Sequence, residues 1–305
     1  MDQGPLIVHG RFMLNRSPQC RLPAPGMRHL KAGLFFLLVW VVAVLCGCAM
    51  KGADLRVAGI VWQVDNSTLD PRGNWDRIGA TELLIQWTSV DGTAFVQTGD
   101  LPVAAQLPDW KRIAAEPWAR DVILGLAGRF DERAARRDIV NLVAVSERLA
   151  KLPTPLNVVG WYFPVEIDPT WVEAPSLAPL LANLPRPLWI SVYDSANVGP
   201  DALVDGLIKW LPEDVGVFFQ DGVGVHAREA HVARHYADVM STRLGKHRVR
   251  IIAEAFRPKV GGGFRSATAD ELKPQVHAYD GYRVYLFDGP HYVTDALVST
   301  LAPLR

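Results

Sequence analysis

Residues 157–167 read Asn-Val-Val-Gly-Trp-Tyr-Phe-Pro-Val-Glu-Ile, a β-branched and aromatic run that predicts a buried strand. The segment before it, residues 131–151, has helical period and places four apolar residues on one face, namely Ile139, Leu142, Val143 and Leu149. A strand that follows an amphipathic helix is the repeating unit of a parallel sheet covered by helices.

The same unit recurs on both sides of this stretch. A second long amphipathic segment, residues 227–244, ends before Gly245, and Thr268 with Glu271 forms a capping box. The strand-like runs cover residues 56–64, 82–90, 121–128, 157–167, 187–193, 215–223, 248–256 and 282–288. Eight strands with intervening helices in roughly 250 residues predict one α/β domain, a closed (β/α)8 TIM barrel over residues 56–305.

The first βα unit is unusually short. Only residues 65–81 separate the first two strands, and Pro71 and Gly73 interrupt them. We therefore expect the first helix to be a single turn around residues 75–78.

The first 50 residues have the composition of an export signal. Met27 opens a short basic stretch, and residues 32–45 form an uninterrupted apolar run that is too short to span a bilayer but long enough for a secretory signal. The following Leu-Cys-Gly-Cys resembles the bacterial lipobox, which implies lipidation of Cys48. We expect an unstructured leader at 1–26, a lipoprotein signal peptide at 27–47, a lipidated tether at 48–55 and attachment to the periplasmic face of the outer membrane. The alternative is an uncleaved membrane anchor.

Cysteine content and charge narrow the function further. All three cysteines, Cys20, Cys46 and Cys48, lie in the N-terminal portion, so the barrel has no thiolate metal site and no thiol nucleophile. Residues 1–47 hold five of the 32 basic and one of the 32 acidic side chains, which leaves 27 against 31 in the mature part. This slightly acidic balance argues against a nucleic-acid partner.

Several cofactor and nucleophile motifs are missing. No Gly-x-Gly-x-x-Gly follows the first strand, and no Gly-x-Ser-x-Gly elbow occurs. Gly261-Gly262-Gly263 lacks the Lys-Ser/Thr of a P-loop and is interpreted as a flexible loop at the barrel mouth. We therefore expect no cofactor.

Polar and aromatic side chains follow the strands at their carboxyl ends, where TIM barrels carry their active sites. Sugars bind through ring stacking and through hydrogen bonds from hydroxyl groups, so this composition predicts a carbohydrate site. The expected substrate-binding residues are Gln63, Gln86, Trp87, Trp161, Tyr162, Asp194, Gln220 and Asp288.

Glu166 on the fourth strand and Glu254 on the seventh are the main catalytic candidates. Glycosidases use two carboxyl groups, one protonated to assist the leaving oxygen and one ionised. Glu254 lies in an otherwise apolar strand and needs a compensating partner. The structural alternative is an ion pair with Arg129 or Arg257.

Asp221 is a further candidate for the second carboxylate, because Gly222 and Gly224 allow a ligand to approach the backbone. Its alternative role is to cap the loop before the sixth helix. His226, His231 and His235, with Glu229, could suggest a metal face, but the H-E-x-x-H arrangement is absent and we expect no metal site.

Three segments carry a family resemblance: residues 82–88, 160–168 and 220–224. With them the chain resembles the bacterial domain of unknown function DUF4434, a glycoside-hydrolase-like barrel. The resemblance implies a carbohydrate-active barrel and assigns Gln86, Trp87, Tyr162, Glu166 and Asp221 to the site. The short first helix departs from the family pattern near residues 65–75.

Two functional hypotheses follow. The first is a lipid-anchored glycoside hydrolase that acts on an exopolysaccharide or envelope glycan, with Glu166 as acid/base and Glu254 or Asp221 as the second carboxylate. The second is a non-catalytic glycan-binding or scaffold lipoprotein of a polysaccharide export assembly.

Overall fold

A computed structural model of the chain describes residues 55–303, and in them the predicted TIM barrel is confirmed. All eight barrel strands are parallel, and each lies within its predicted run. They are β1 Gly59–Trp62, β2 Glu82–Ile85, β3 Asp121–Gly125, β4 Val158–Ile167, β5 Leu188–Val192, β6 Val215–Gln220, β7 Val249–Glu254 and β8 Val284–Phe287.

The strands follow one another around the barrel in chain order, and β1 closes the ring. Gly59 is opposite Glu82 of β2 on one side and Tyr285 of β8 on the other. Consecutive parallel neighbours joined by helical crossovers place every strand's carboxyl end on the same face, which is the barrel mouth.

Helices and short helical turns cover the outside. Trp75–Ile78 is a single 3₁₀ turn, as expected, and the capping box of Thr268 and Glu271 is present. The segment predicted as one helix over residues 131–151 is two helices, because Asp138 leaves the helical conformation and pairs with Arg129. The α-helices are α1 Trp110–Ala114, α2 Glu132–Arg137, α3 Ile139–Leu149, α4 Leu177–Leu181, α5 Pro200–Ile208, α6 Ala230–Leu244, α7 Ala269–Ala278, α8 Gly289–Tyr292 and α9 Asp295–Leu301.

A layer of eight side chains fills the barrel interior, with one residue from each strand. Trp189 is the largest, and it fits because its neighbours on β4 and β6 are Gly160 and Gly216. A Cβ atom at Gly216 would lie 2.3 Å from the Trp189 indole nitrogen. The layer consists of Val61, Leu84, Ile123, Tyr162, Trp189, Phe218, Ile252 and Tyr285.

The amino-terminal end of the barrel is closed by a charged cluster. The Arg250 guanidinium lies 4.1 Å from the centroid of the Trp189 ring and 3.5 Å from the Glu82 carboxylate. Arg283 and the Tyr285 hydroxyl also bind Glu82. Every charge buried in this layer therefore has a partner of opposite sign or a hydrogen bond.

Two small additions lie at the mouth. Ser89–Val90 and Thr93–Ala94 form a hairpin around Asp91 and Gly92, whose positive φ angles suit a two-residue turn, and Ala127–Gly128 pairs with it in parallel. The three glycines at 261–263, expected as a loop, form the tip of a second hairpin between Phe256–Pro258 and Phe264–Ser266.

The export signal and Cys48 lie outside the described residues. Within residues 55–303, no helix is long and apolar enough to cross a membrane.

Candidate active site

The barrel mouth carries a second ring of inward side chains above the interior layer. Because side chains alternate along a strand, the residue two positions after each interior residue also points inward. This alternation places Gln63, Gln86, Gln220 and Glu254 around the opening. Glu166 joins them, four positions after Tyr162, because a bulge interrupts the alternation in β4.

A cavity of about 70 Å³ lies directly on the interior layer. Its floor includes Val61, Tyr162 and Ile252, and Phe287 forms part of its wall. Its polar lining consists of Gln86, Glu132, Tyr162, Glu166, Ser191 and Gln220. Two of these side chains are carboxyl groups, so the cavity brings together the pair that acid–base chemistry requires.

Glu166 takes its position from an irregularity in β4. The register with β5 shifts between Phe163 and Glu166, and Pro164 within the bulge has no N–H to donate. The Glu166 Oε2 atom accepts a hydrogen bond of 2.7 Å from the Gln220 amide, which also donates to Ser191 Oγ at 2.6 Å. Burial raises the pKa of Glu166, and the Gln220 hydrogen bond opposes this effect.

Glu132 is a functional candidate that the sequence reasoning missed. It is the first residue of α2, and its Oε2 atom accepts the backbone N–H of Glu166 at 3.1 Å, the donor that the bulge frees from the sheet. Burial and then the charge of Glu166 raise the pKa of Glu132 to about 7. The signal available in the sequence was its place at the start of a helix that follows the third strand.

Gln86 and Tyr162 complete the polar lining on the other side. The buried Oε1 atom of Gln86 has no hydrogen-bond partner among the described residues, although it lines the cavity. A buried acceptor without a partner costs about 1–3 kcal/mol unless a ligand or water supplies a donor. Burial raises the pKa of Tyr162, so its hydroxyl is a donor at neutral pH.

Glu254 lies at the inward end of β7 but does not line this cavity. Its Oε2 atom accepts the backbone N–H of Val225 at 3.1 Å, so it holds the loop after β6. The ion pair considered as the structural alternative does not form: Arg129 pairs with Asp138, and Arg257 donates to the backbone carbonyl of Glu254. Burial and the neighbouring Asp221 raise the pKa of Glu254 to about 8.

Asp221 points away from the barrel opening because Gln220 before it points inward. It is fully buried, and its carboxylate accepts hydrogen bonds from the Gln275 amide at 2.6 Å, the Tyr279 hydroxyl at 2.8 Å and the backbone N–H groups of Val223 and Glu254. These four bonds place Asp221 between β6 and α7. Burial raises the pKa of Asp221, and the four hydrogen bonds oppose this effect.

Asp194 and Asp288 are also buried and hydrogen-bonded within the protein. Asp194 accepts the Tyr236 hydroxyl at 2.7 Å and two backbone N–H groups of its own loop. Asp288 accepts the backbone N–H of Gln63 at 2.8 Å and caps α8. Both carboxylates shape the rim loops rather than line the cavity.

The two predicted tryptophans lie in different places. Trp87 is at the mouth, where its indole N–H donates to the Val64 carbonyl at 2.8 Å and its ring lines a groove beside the cavity. Trp161 lies on the face of β4 opposite Tyr162 and packs against the outer core below the helices. The structure therefore brings Trp87, but not Trp161, to the opening.

The histidines of α6 are dispersed. His231 and His235 are exposed on the helix, and His226 lies in the preceding loop with a positive φ of 60°. Residues 55–303 contain no group of three or more side chains placed to bind a metal ion.

Comparisons with known proteins add little to this geometry. No family model matches the chain, so membership of DUF4434 stays a prediction, and no curated protein matches it either. Among solved structures, the chain is similar to the glycoside hydrolase domain of PgaB (BpsB) from Bordetella bronchiseptica, with 13% identity and a TM-score of 0.48. The match covers 81% of this chain and 99% of that domain.

Proposed function

We propose that the barrel is a glycoside hydrolase that cleaves an exopolysaccharide or cell-envelope glycan. The observation that supports this most is the cavity at the mouth, where Glu132 and Glu166 face the same space beside the unpaired amide oxygen of Gln86. A sugar hydroxyl would supply the donor that Gln86 lacks.

The protonation of this pair fits glycosidic hydrolysis. Burial raises the pKa of both carboxyl groups, to about 7 for Glu132, whereas the hydrogen bond from Gln220 opposes the rise at Glu166. We therefore assign Glu132 as the proton donor and Glu166 as the ionised partner, in place of the expected acid/base role of Glu166. One buried site then holds a carboxylic acid and a carboxylate together.

The reaction adds one water across the glycosidic bond. Glu132 gives its proton to the leaving oxygen as the bond to the anomeric carbon breaks. Glu166 either attacks that carbon or takes a proton from the attacking water, and the configuration of the product distinguishes these two routes. In the first route, water then breaks the bond between Glu166 and the sugar and returns a proton to Glu132. In the second route, proton exchange with solvent restores both carboxyl groups.

Three matched variants test the assignment with soluble envelope polysaccharides and a panel of 4-nitrophenyl glycosides. Glu166→Gln should lower cleavage of every substrate by about 10²- to 10⁴-fold. Glu132→Gln should lower polysaccharide cleavage similarly but spare the nitrophenyl substrates, whose leaving group needs no proton. Glu254→Gln should change both by less than about tenfold.

The outcomes separate the alternatives. Cleavage of polysaccharide by Glu166→Gln at the wild-type rate would contradict the proposal. If Glu254→Gln loses as much activity as Glu166→Gln while Glu132→Gln stays active, the catalytic pair is Glu166 and Glu254, as the sequence predicts.

A glycan-binding scaffold without cleavage is the second candidate. The observation that favours it is the groove lined by Trp87 and by the exposed ring of Phe130, which offers aromatic surface without a carboxyl pair. It requires saturable glycan binding by the wild-type protein without release of reducing ends.

We also propose that a lipid on Cys48 anchors the barrel at the periplasmic face of the outer membrane. Replacing Cys48 with Ala should move the protein from the outer-membrane fraction to another fraction and should abolish incorporation of labelled palmitate. Unchanged fractionation and labelling would contradict the anchor.

A further inference from the structure

A groove of about 600 Å³ lies beside the cavity, on the side of the mouth formed by β1, β2 and β3. Sites for small ligands commonly have about 300–1,000 Å³. The hairpin of Ser89–Val90 and Thr93–Ala94 contributes Val90 and Thr93 to its lining, Trp87 and Phe130 supply aromatic rings, and Asn66 and Gln106 lie on the lining as exposed amides.

The two aromatic rings of the groove differ in exposure. Trp87 is 2% exposed and is held by its hydrogen bond to Val64, whereas Phe130 is 70% exposed, with its ring centroid 6.2 Å from that of Trp87. An exposed ring beside a buried one offers a stacking surface for the apolar face of a sugar.

The polar part presents hydrogen-bonding groups without a free charge. Asp65 lines the groove, but its Oδ1 atom accepts hydrogen bonds from Ser67 and Thr68, and its Oδ2 atom lies 3.1 Å from His291 Nε2. The amides of Asn66 and Gln106 remain exposed. This composition suits hydroxyl groups of an uncharged sugar and gives no cation for a polyanion.

The groove and the cavity meet at Gly128. A Cβ atom there would lie 2.9 Å from Pro164 Cγ, which lines the cavity, and 3.4 Å from Trp87 Cε3, which lines the groove. Pro164 and Trp87 therefore pack closely on the same glycine, one from each compartment, which makes the groove and the cavity neighbours.

We propose that the groove binds further sugar units of the same neutral glycan chain whose bond lies in the cavity, so that the protein cleaves within the chain. The proposal rests on the function proposed above, but binding in the groove does not depend on catalysis.

Phe130→Ala tests the groove, and Phe264→Ala is the matched control, since Phe264 is an exposed phenylalanine on the hairpin after β7, away from the groove. The probes are the neutral polysaccharides dextran, laminarin and hydroxyethyl cellulose, with alginate as the anionic comparison, in affinity electrophoresis. Thermal unfolding of each variant confirms that it is folded.

We expect Phe130→Ala to weaken retardation by at least one neutral polysaccharide by about 2- to 12-fold, the range of one aromatic contact. Phe264→Ala should bind like the wild type, and Gln106→Ala should weaken binding of the same polysaccharide. No retardation of the wild type by any neutral polysaccharide, stronger binding to alginate, or equal losses in both phenylalanine variants would overturn the proposal.

Digestion distinguishes this inference from the proposed function. If Phe130→Ala weakens binding but the wild type cleaves no substrate, the proposed glycan site in the groove stands and the proposed hydrolase activity is refuted. Cleavage with the same KM for polymer in Phe130→Ala and wild type, or release of short products from the first minutes, would refute the groove and leave the hydrolase.

Discussion

The two ends of the barrel differ in whether their buried acidic side chains have partners of opposite charge. At the amino-terminal end, Glu82 is bound by Arg250, Arg283 and the Tyr285 hydroxyl, so its charge is neutralised. At the mouth, Glu132 and Glu166 are buried beside each other, and the Oε1 atom of Gln86 has no hydrogen-bond partner among the described residues. The first arrangement stabilises the fold, whereas the second keeps acid and acceptor groups available for a ligand.

The largest effect we predict comes from exchanging a carboxylate at each end. Glu82→Gln should lower the free energy of unfolding by about 3–5 kcal/mol, because it leaves the Arg250 charge buried without its partner. Glu166→Gln should leave that free energy equal or higher, because burial disfavours the Glu166 charge that the substitution removes.

Urea denaturation of both variants measures this difference. A Glu166→Gln variant that loses as much stability as Glu82→Gln would show that the mouth carboxyl pair is structural.

The interior layer between the two ends provides the next prediction. Gly216→Ala should cost about 1–3 kcal/mol, because its Cβ would lie 2.3 Å from the Trp189 indole nitrogen. Gly206→Ala is the control, since its Cβ on α5 meets nothing within 4 Å, and it should stabilise the protein by about 0.4–1 kcal/mol. Equal thermal midpoints for the two variants would show that Trp189 repacks freely.

The protonation of Glu132 at the mouth should make stability and activity depend on pH. The pKa of Glu132 is raised from 4.5 to about 7, so the folded state binds a proton that the unfolded state releases. Its contribution to stability is fully present below pH 4.5 and is lost as the pH rises through 7, and kcat/KM should fall about tenfold per pH unit above that value.

Glu132→Gln should remove the part of the stability slope between pH 4.5 and 7 that Glu132 causes. An identical slope in wild type and variant, measured by denaturation across this range, would contradict the assigned proton.

The smallest effect on stability should come from His291. This side chain at the mouth has partners of opposite charge, as the charged residues at the amino-terminal end do. Its ring lies between Asp288, with Nδ1 to Oδ2 at 3.2 Å, and Asp65, with Nε2 to Oδ2 at 3.1 Å, and these carboxylates raise its pKa. The added stability is present below pH 6.5 and disappears as the pH rises through the raised value. His291→Gln should therefore lower the thermal midpoint at pH 5.5 by a few degrees and have less effect at pH 9.

The sequence predicts the barrel well because its strands are apolar runs bounded by turns and helical periods. It predicts less about which way a side chain points, because strands of a parallel barrel are buried on both faces and show no alternation. Gln220 ends β6 and Asp221 follows it directly, yet only Gln220 reaches the cavity. Trp161 and Tyr162 differ in the same way.

Glu132 was missed for a different reason. It comes from the start of a helix rather than the end of a strand, and its contact with Glu166 depends on the bulge at Phe163 and Pro164. A bulge of this kind arises from pairing between strands, which local sequence patterns do not encode.

The filled barrel interior limits how a ligand can enter and leave the cavity. Eight side chains close the barrel below the cavity, so the opening is the only way in and out along the barrel axis in the part of the chain that the structure describes. A long polymer cannot thread through such a dead end. Under the proposed function, such a polymer would lie across the entrance, and each product would leave sideways before the next bond is positioned.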